Sequence, residues 1–192
     1  MNIKDMVEAN TILKIKVGSE LYGTSIVGVS DIDYFGVCIP TKDYMLGTQK
    51  FELLEERTNP SSSDKRNTKF DSDYTCYSLQ KYFKLLSDSN PNVLETLFVN
   101  KDNIIYSNRA SQEILDNKHI FLSKRAYYKF SGYAFSQKRK LLTKEPIGLR
   151  KEIVNQHGYD SKYAGHLIRL LFFGIELLDT GSIKFPTDWA KY

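Results

Sequence analysis

Tryptophan occurs once and cysteine twice in these 192 residues, and neither scarcity is neutral. Cys38 and Cys76 sit in apolar, strand-like runs and form neither a Cys-x-x-Cys pair nor a Cys/His set. A zinc module and a disulfide scaffold are thereby excluded, and both are expected to be reduced core thiols. Long apolar runs are missing too. The most apolar segment, Leu167–Leu178, contains Arg169 and Glu176, well short of the roughly 18 uninterrupted residues of a membrane span. The opening Met1–Glu8 has no long apolar stretch or small-residue cleavage site of a secretory signal, so a cytoplasmic location is expected. The three histidines, His119, His157 and His166, have no motif-like nucleophile beside them, which removes Ser–His–Asp chemistry from consideration.

What is present is enough for one folded unit. Hydrophobic residues make up 41% and charged residues 26%, ordinary for a globular chain with a real core and far from the composition of disorder. Thirteen tyrosines and eleven phenylalanines supply much of the packing volume. Charge is segregated: residues 118–151 hold ten Lys/Arg against one acid, Glu145, leaving seventeen bases and twenty-two acids elsewhere. Such an arrangement suits a polyanion held by Lys/Arg and a cation held by carboxylates, while the plainer reading of the basic run is a solvated helix face.

Periodicity orders the chain. A short amphipathic opening precedes a strand over Ile12–Val17, which ends at Gly18-Ser19. A helical or loop segment, Glu20–Gly28, leads to a second strand over Ser30–Ile39, closed by Pro40. Thr58–Thr68 is rich in turn formers and reads as an exposed loop, after which Phe70–Tyr77 alternates as a strand. Helical patterns then begin at Ser78 and occupy roughly 107–117, 121–142 and 160–179, the last with Gly181 as its C-cap. Strands first and helices second predict an α+β class.

Two features carry chemistry. Asp31-Ile32-Asp33 on a strand puts two carboxylates on one face about 6–7 Å apart at their α-carbons, suited to clamping divalent cations between oxygens. A third carboxylate from another strand completes a two-metal site: Asp73 is best placed, with Asp71 two residues away on the same face in reserve. Upstream, Gly18 permits close backbone approach to a phosphate, and the Ser19 hydroxyl can receive a phosphate oxygen. Each part alone is common; a Gly-Ser turn about a dozen residues before Ser-Asp-x-Asp, followed by a distant strand carboxylate, is not.

The runs Gly18-Ser19-Glu20-Leu21-Tyr22-Gly23-Thr24 and Ser30-Asp31-Ile32-Asp33-Tyr34-Phe35-Gly36-Val37 resemble the signature of polymerase-β-like nucleotidyltransferases. More narrowly, the chain is similar to the RNA-repair-pathway predicted nucleotidyltransferases. This branch is supported by Tyr77-Ser78-Leu79-Gln80-Lys81-Tyr82-Phe83, Asn90-Pro91-Asn92-Val93-Leu94-Glu95 and Lys162-x-x-x-His166-Leu167-Ile168-Arg169. The resemblance implies a small mixed β-sheet catalytic core over residues 1–100, flanked by helices, and a helical region over 101–192 that completes the cleft. It also implies NTP as substrate, ATP among the candidates. Gly18 and Ser19 would contact the triphosphate, Asp31 and Asp33 would bind two Mg²⁺ or Mn²⁺ ions, and Asp73 would complete the metal site and act as base.

Lys162, His166, Arg169 and Phe173 share one face of the last helix, with Leu167, Leu170, Leu171, Ile175 and Leu178 on its apolar faces. Lys162 and Arg169 are candidates for phosphate binding and His166 for a neighbouring hydrogen bond; a satisfied core histidine is the alternative. Asn90-Pro91-Asn92-x-x-Glu95 reads as a helix stop and restart, Asn92 capping and Glu95 completing a capping box; a substrate contact is the alternative. Lys138, Arg139 and Lys140, interleaved with Tyr127, Tyr128, Tyr133 and Phe135, form a candidate RNA-contacting segment. The expected activity is transfer of a nucleoside monophosphate from an NTP to an RNA end, including tRNA under repair. Transfer of AMP to a protein, and a non-catalytic nucleotide- or RNA-binding module, are the competing readings.

Overall fold

The computed structural model describes residues 2–26, 30–58 and 70–188. Beyond Thr58, the loop expected over Thr58–Thr68 lies outside the described residues, as do Gly28 and the chain end from Trp189. In chain order the elements begin α1 (Ile3–Asn10), β1 (Thr11–Val17), α2 (Gly18–Tyr22), β2 (Ile32–Cys38), α3 (Lys42–Met45), β3 (Leu53–Arg57) and β4 (Ser72–Ser78). They continue with α4 (Leu79–Ser87), α5 (Pro91–Leu94), β5 (Ile104–Ser107), α6 (Arg109–Asp116), α7 (Arg125–Thr143), α8 (Leu149–His157) and α9 (Ser161–Thr180).

The class is α+β, as the element order predicted, built on one mixed sheet of order β3-β4-β2-β1-β5. Among the described strands only the β2–β4 pairing is parallel. A register shift between Thr11 and Leu13 lets β1 bury both Ile12 and Leu13, which strict alternation would forbid. One sheet face carries Leu13, Ile15, Phe35 and Val37 against α4, α7 and α9. The other packs Cys38 and Cys76 with Met6 and Val7 of α1, so both thiols are free and buried, as expected. Among the described residues no helix is long and apolar enough to cross a membrane.

Local signals place the helices around this sheet. Ser78 caps α4 by accepting from the Lys81 amide at 3.3 Å, and Asp160 caps α9 by accepting from the amides of Lys162 and Tyr163. Gly181 closes α9 in the left-handed region at φ 69°, as predicted. Gly174 lets α7 lie close, because its missing β-carbon would stand 3.0 Å from Phe130 Cβ.

Several expectations need correction. The strand begins at Ile32, so Asp31 precedes it. The helical pattern over 121–142 starts only at Arg125, because Lys118–Phe121 forms a separate 3₁₀ turn. The strands β3 and β5 and the helix α8 were not anticipated. The two strands are short sheet edges with largely exposed side chains, and edges need no apolar alternation. On α9, Leu171, Ile175 and Leu178 are exposed; the buried face is Leu170, Phe173, Gly174 and Leu177. Phe173 thus leaves the expected polar stripe for the core.

Candidate active site

Asp33 and Asp73 stand side by side because β2 and β4 run parallel in a register that pairs Ile32 with Ser72 and Asp33 with Asp73. Side chains of paired residues point to the same face, and here that face continues downward as Phe35 with Thr75 and Val37 with Tyr77. The two carboxylates thus crown the apolar face of the sheet. Asp31, just ahead of β2, opens on the same cavity of about 620 Å³, whereas Asp71 does not line it and accepts from the Thr58 hydroxyl at 3.2 Å.

Across from them, β1 ends at Val17 and the chain turns sharply at Gly18, φ 67°. A β-carbon on Gly18 would overlap Asp33 Oδ2. Glycine is therefore required twice, for the left-handed backbone and for the approach to the carboxylate. Ser19 follows in the first turn of α2 and lines the cavity.

Electrostatics mark Asp33 among the three. Burial pushes its carboxyl up to about 6, the neighbouring Asp31 and Asp73 charges add to the rise, and Lys162 and Arg57 oppose it. Among the described residues, no three His, Cys, Asp or Glu side chains are drawn together closely enough to hold a metal ion as they stand. Arg57, in β3 opposite Asp73, approaches it with Nε 3.7 Å from Oδ2. Sequence reading missed Arg57 because it missed the edge strand that carries it.

The far wall is helical. Lys162, His166 and Arg169 of α9 all line the cavity, as their spacing predicted. Lys162 is exposed, but Arg169 is only 4% exposed and already engaged. It pairs with Glu95, donates to the Tyr22 hydroxyl at 2.8 Å and to Asn92 Oδ1 at 3.0 Å. Tyr22 in turn donates to Glu95 at 2.6 Å. Burial pushes the Glu95 carboxyl up, opposed by Arg169 and Tyr22. Burial works most strongly against the Arg169 charge, but Glu95, Tyr22 and Tyr133 together outweigh it and push its pKa up. Burial, then Arg169 and Lys162, push His166 down to about 4, so its ring is neutral at pH 7.

This overturns the capping reading of Asn90-Pro91-Asn92-x-x-Glu95. Asn90 is the cap of α5, accepting from the Asn92 amide at 3.1 Å. Asn92 and Glu95 face the cavity and hold Arg169 instead. Lys138, Arg139 and Lys140 are exposed on α7 and stand outside the cavity.

Residues 1–192 match the model of RlaP, the RNA repair pathway DNA polymerase beta family. An uncharacterized 38.9 kDa protein in the nrdC-mobD intergenic region of Enterobacteria phage T4 is 35% identical over 114 residues, covering 58% of this chain and 33% of that protein. The match thus spans about a third of the curated relative's length. A nucleotidyltransferase-like protein from Exiguobacterium sibiricum 255-15 aligns over 94% of this chain and 59% of its own, at 10% identity and a TM-score of 0.36.

Proposed function

Because this chain belongs to the RNA repair pathway DNA polymerase beta family, a family of polymerase-β-like nucleotidyltransferases, we propose that it transfers a nucleoside monophosphate from an NTP to an RNA end in a divalent-metal-dependent reaction. The observation that carries the reading is the parallel pairing of Asp33 with Asp73, beside Asp31 and across from the Gly18–Ser19 turn.

Asp31, Asp33 and Asp73 would hold two Mg²⁺ or Mn²⁺ ions. The donor set fits in chemistry: three carboxylates are hard oxygen ligands, they face one cavity, and burial together with the Asp31 and Asp73 charges raises Asp33, a penalty that a cation relieves. When bound, the metal supplies charge stabilisation to the leaving pyrophosphate and acidifies the acceptor hydroxyl. The chain does the rest. Gly18 and Ser19 receive the triphosphate through a backbone amide and a hydroxyl. Lys162 adds an exposed ammonium from the opposite wall. The acceptor oxygen attacks the α-phosphorus, the bond to the α–β bridging oxygen breaks, and Asp73 takes the acceptor's proton. Arg57 orients Asp73 for that step.

Lys138, Arg139 and Lys140, exposed beside Phe135 on α7, supply a track for an RNA backbone. Reversing all three charges should weaken RNA binding and reduce the slope of log affinity against log salt by about 2–3. An unchanged slope, read by filter binding across a salt series, removes this face from the interface.

The deciding experiment incubates the protein with each NTP labelled at the α-phosphate, Mg²⁺ or Mn²⁺ and total RNA, with Asp31→Ala as control. Label on RNA that disappears in the variant supports the reading and identifies the nucleotide. Label on protein replaces it with protein modification, and no label with a binding role.

A further inference from the structure

The α2 helix carries the Gly18–Ser19 turn, yet it is only five residues long. A helix of that length does not hold itself in water, so the placement of the turn against Asp33 must come from contacts made elsewhere along α2. Leu21 is fully buried, and the hydrogen bonds that could orient the turn concentrate on the last residue, Tyr22. The Tyr22 carbonyl accepts from both the amide and the hydroxyl of Thr187, at 3.2 and 3.1 Å. Its hydroxyl donates to Glu95 at 2.6 Å and accepts from Arg169 at 2.8 Å. The guanidinium also lies 5.0 Å from the centre of the Tyr22 ring.

We infer that Arg169 is a positioning residue: together with Glu95 it grips the Tyr22 hydroxyl and so sets the Gly18–Ser19 turn against Asp33, and it does not contact the triphosphate. The inference rests on the reading of this cavity as a nucleotidyl-transfer site.

Donor geometry argues for this role. A guanidinium has five N–H groups. One terminal nitrogen of Arg169 serves Tyr22 and Glu95, the other serves Asn92 and approaches His166 Nδ1 at 3.5 Å. The remaining nitrogen, Nε, is buried and unpartnered. Charge leads to the same conclusion. Glu95 neutralises Arg169 in a pair whose side chains are both 5% exposed, so the cluster adds no net cation to the cavity. A buried pair of this kind contributes little net stability compared with apolar packing and is better suited to fixing a geometry. What it fixes is a contact between residues 22, 95 and 169, which joins α2, the turn after α5, and α9.

Arg169→Met would leave Glu95 buried and uncompensated, and such a protein can fail to fold. Tyr22→Phe is the sharper variant, because it removes only the hydroxyl and keeps the ring against Phe173 at 5.6 Å and Phe185 at 6.1 Å. Two readouts are needed. Amide hydrogen exchange without nucleotide follows Gly23 and Thr24, whose N–H groups bond to the carbonyls of Glu20 and Ser19. Steady-state transfer gives kcat and the KM for NTP separately.

In Tyr22→Phe we expect both amides to exchange at least about tenfold faster, with β1 and β2 unchanged. We expect kcat to fall at least about tenfold, with a rise in the KM for NTP accompanying it, because the displaced turn is itself the triphosphate's contact. Unchanged exchange overturns the inference, because the hydroxyl then does not hold α2. Faster exchange with an unchanged kcat overturns it by reducing the contact to architecture. A raised KM with kcat retained and amide exchange unchanged also overturns it, placing the cluster on the nucleotide. If the wild-type protein shows no transfer that depends on Asp33, the functional reading fails first and takes the positioning role with it; the exchange data then report the contact alone.

Discussion

On the sheet wall of the cavity, three like charges face one space and are left partly exposed; on the helical wall, the charges of Glu95 and Arg169 are buried and matched. Asp33 sits beside Asp73 through strand register alone, and its carboxyl rises to about 6 as burial and two neighbouring acids oppose its ionisation. Glu95 meets Arg169 across 74 residues of sequence, with hydrogen bonds that tie both to Tyr22. One wall stores repulsion that an incoming cation can release. The other keeps its charges for its own geometry. Acidity in a cavity therefore does not by itself mark a reactive group: what separates Asp33 from Glu95 is whether a partner is already built in.

Removing an acid from each wall should give opposite results. Glu95→Ala leaves Arg169 buried without its carboxylate and should lower unfolding stability by about 3–5 kcal/mol, measured by urea denaturation at pH 7. Asp33→Asn relieves repulsion and should raise the stability of the metal-free protein by about 1–2 kcal/mol at pH 7, a figure discounted for its partial exposure. Equal destabilisation in both variants would erase the distinction between the walls.

The smallest effect is in the pH dependence, where the two walls have opposite signs. Asp33 rises from 3.8 to about 6 on folding, so the native state binds the extra proton and its contribution to stability is lost as pH increases through that window. His166 falls from 6.5 to about 4, so the unfolded state binds the extra proton and stability is lost as pH decreases from 6.5 towards 4. Between about pH 4 and 6 the two slopes oppose one another. Asp33→Asn should uncover stability that climbs with pH, and His166→Gln stability that declines, each by up to about 1 kcal/mol per pH unit in urea titrations. Parallel curves for the two variants would show that the walls do not titrate as described.

Legibility in the sequence followed the same division. The sheet wall could be read because its determinants are local: Gly18-Ser19 at a strand end, Asp31 and Asp33 at alternate positions, and Asp73 in a run of strand periodicity. The helix start at Ser78, the close at Gly181 and the joint face of Lys162, His166 and Arg169 were legible for the same reason. The helical network was not. Asn90-Pro91-Asn92-x-x-Glu95 satisfies the local grammar of a helix start, and no local rule reveals that Glu95 faces a guanidinium from the far end of the chain. Arg57 stayed hidden because Leu53–Arg57 places three charges in five residues, which a solvated edge strand tolerates and a pattern search passes over.

The strand that carries Asp73 is held on both flanks: β2 pairs it from Ser72 to Ser78, and β3 from Asp73 to Tyr77. Thr58 and Ser72 close this frame, the Thr58 amide donating to the Ser72 carbonyl at 3.1 Å and the Ser72 amide to the Thr58 hydroxyl at 2.7 Å. The register of Asp73 against Asp33 is thus fixed from both sides of its strand. A one-residue slip would have to break both ladders at once to turn Asp73 away from the cavity.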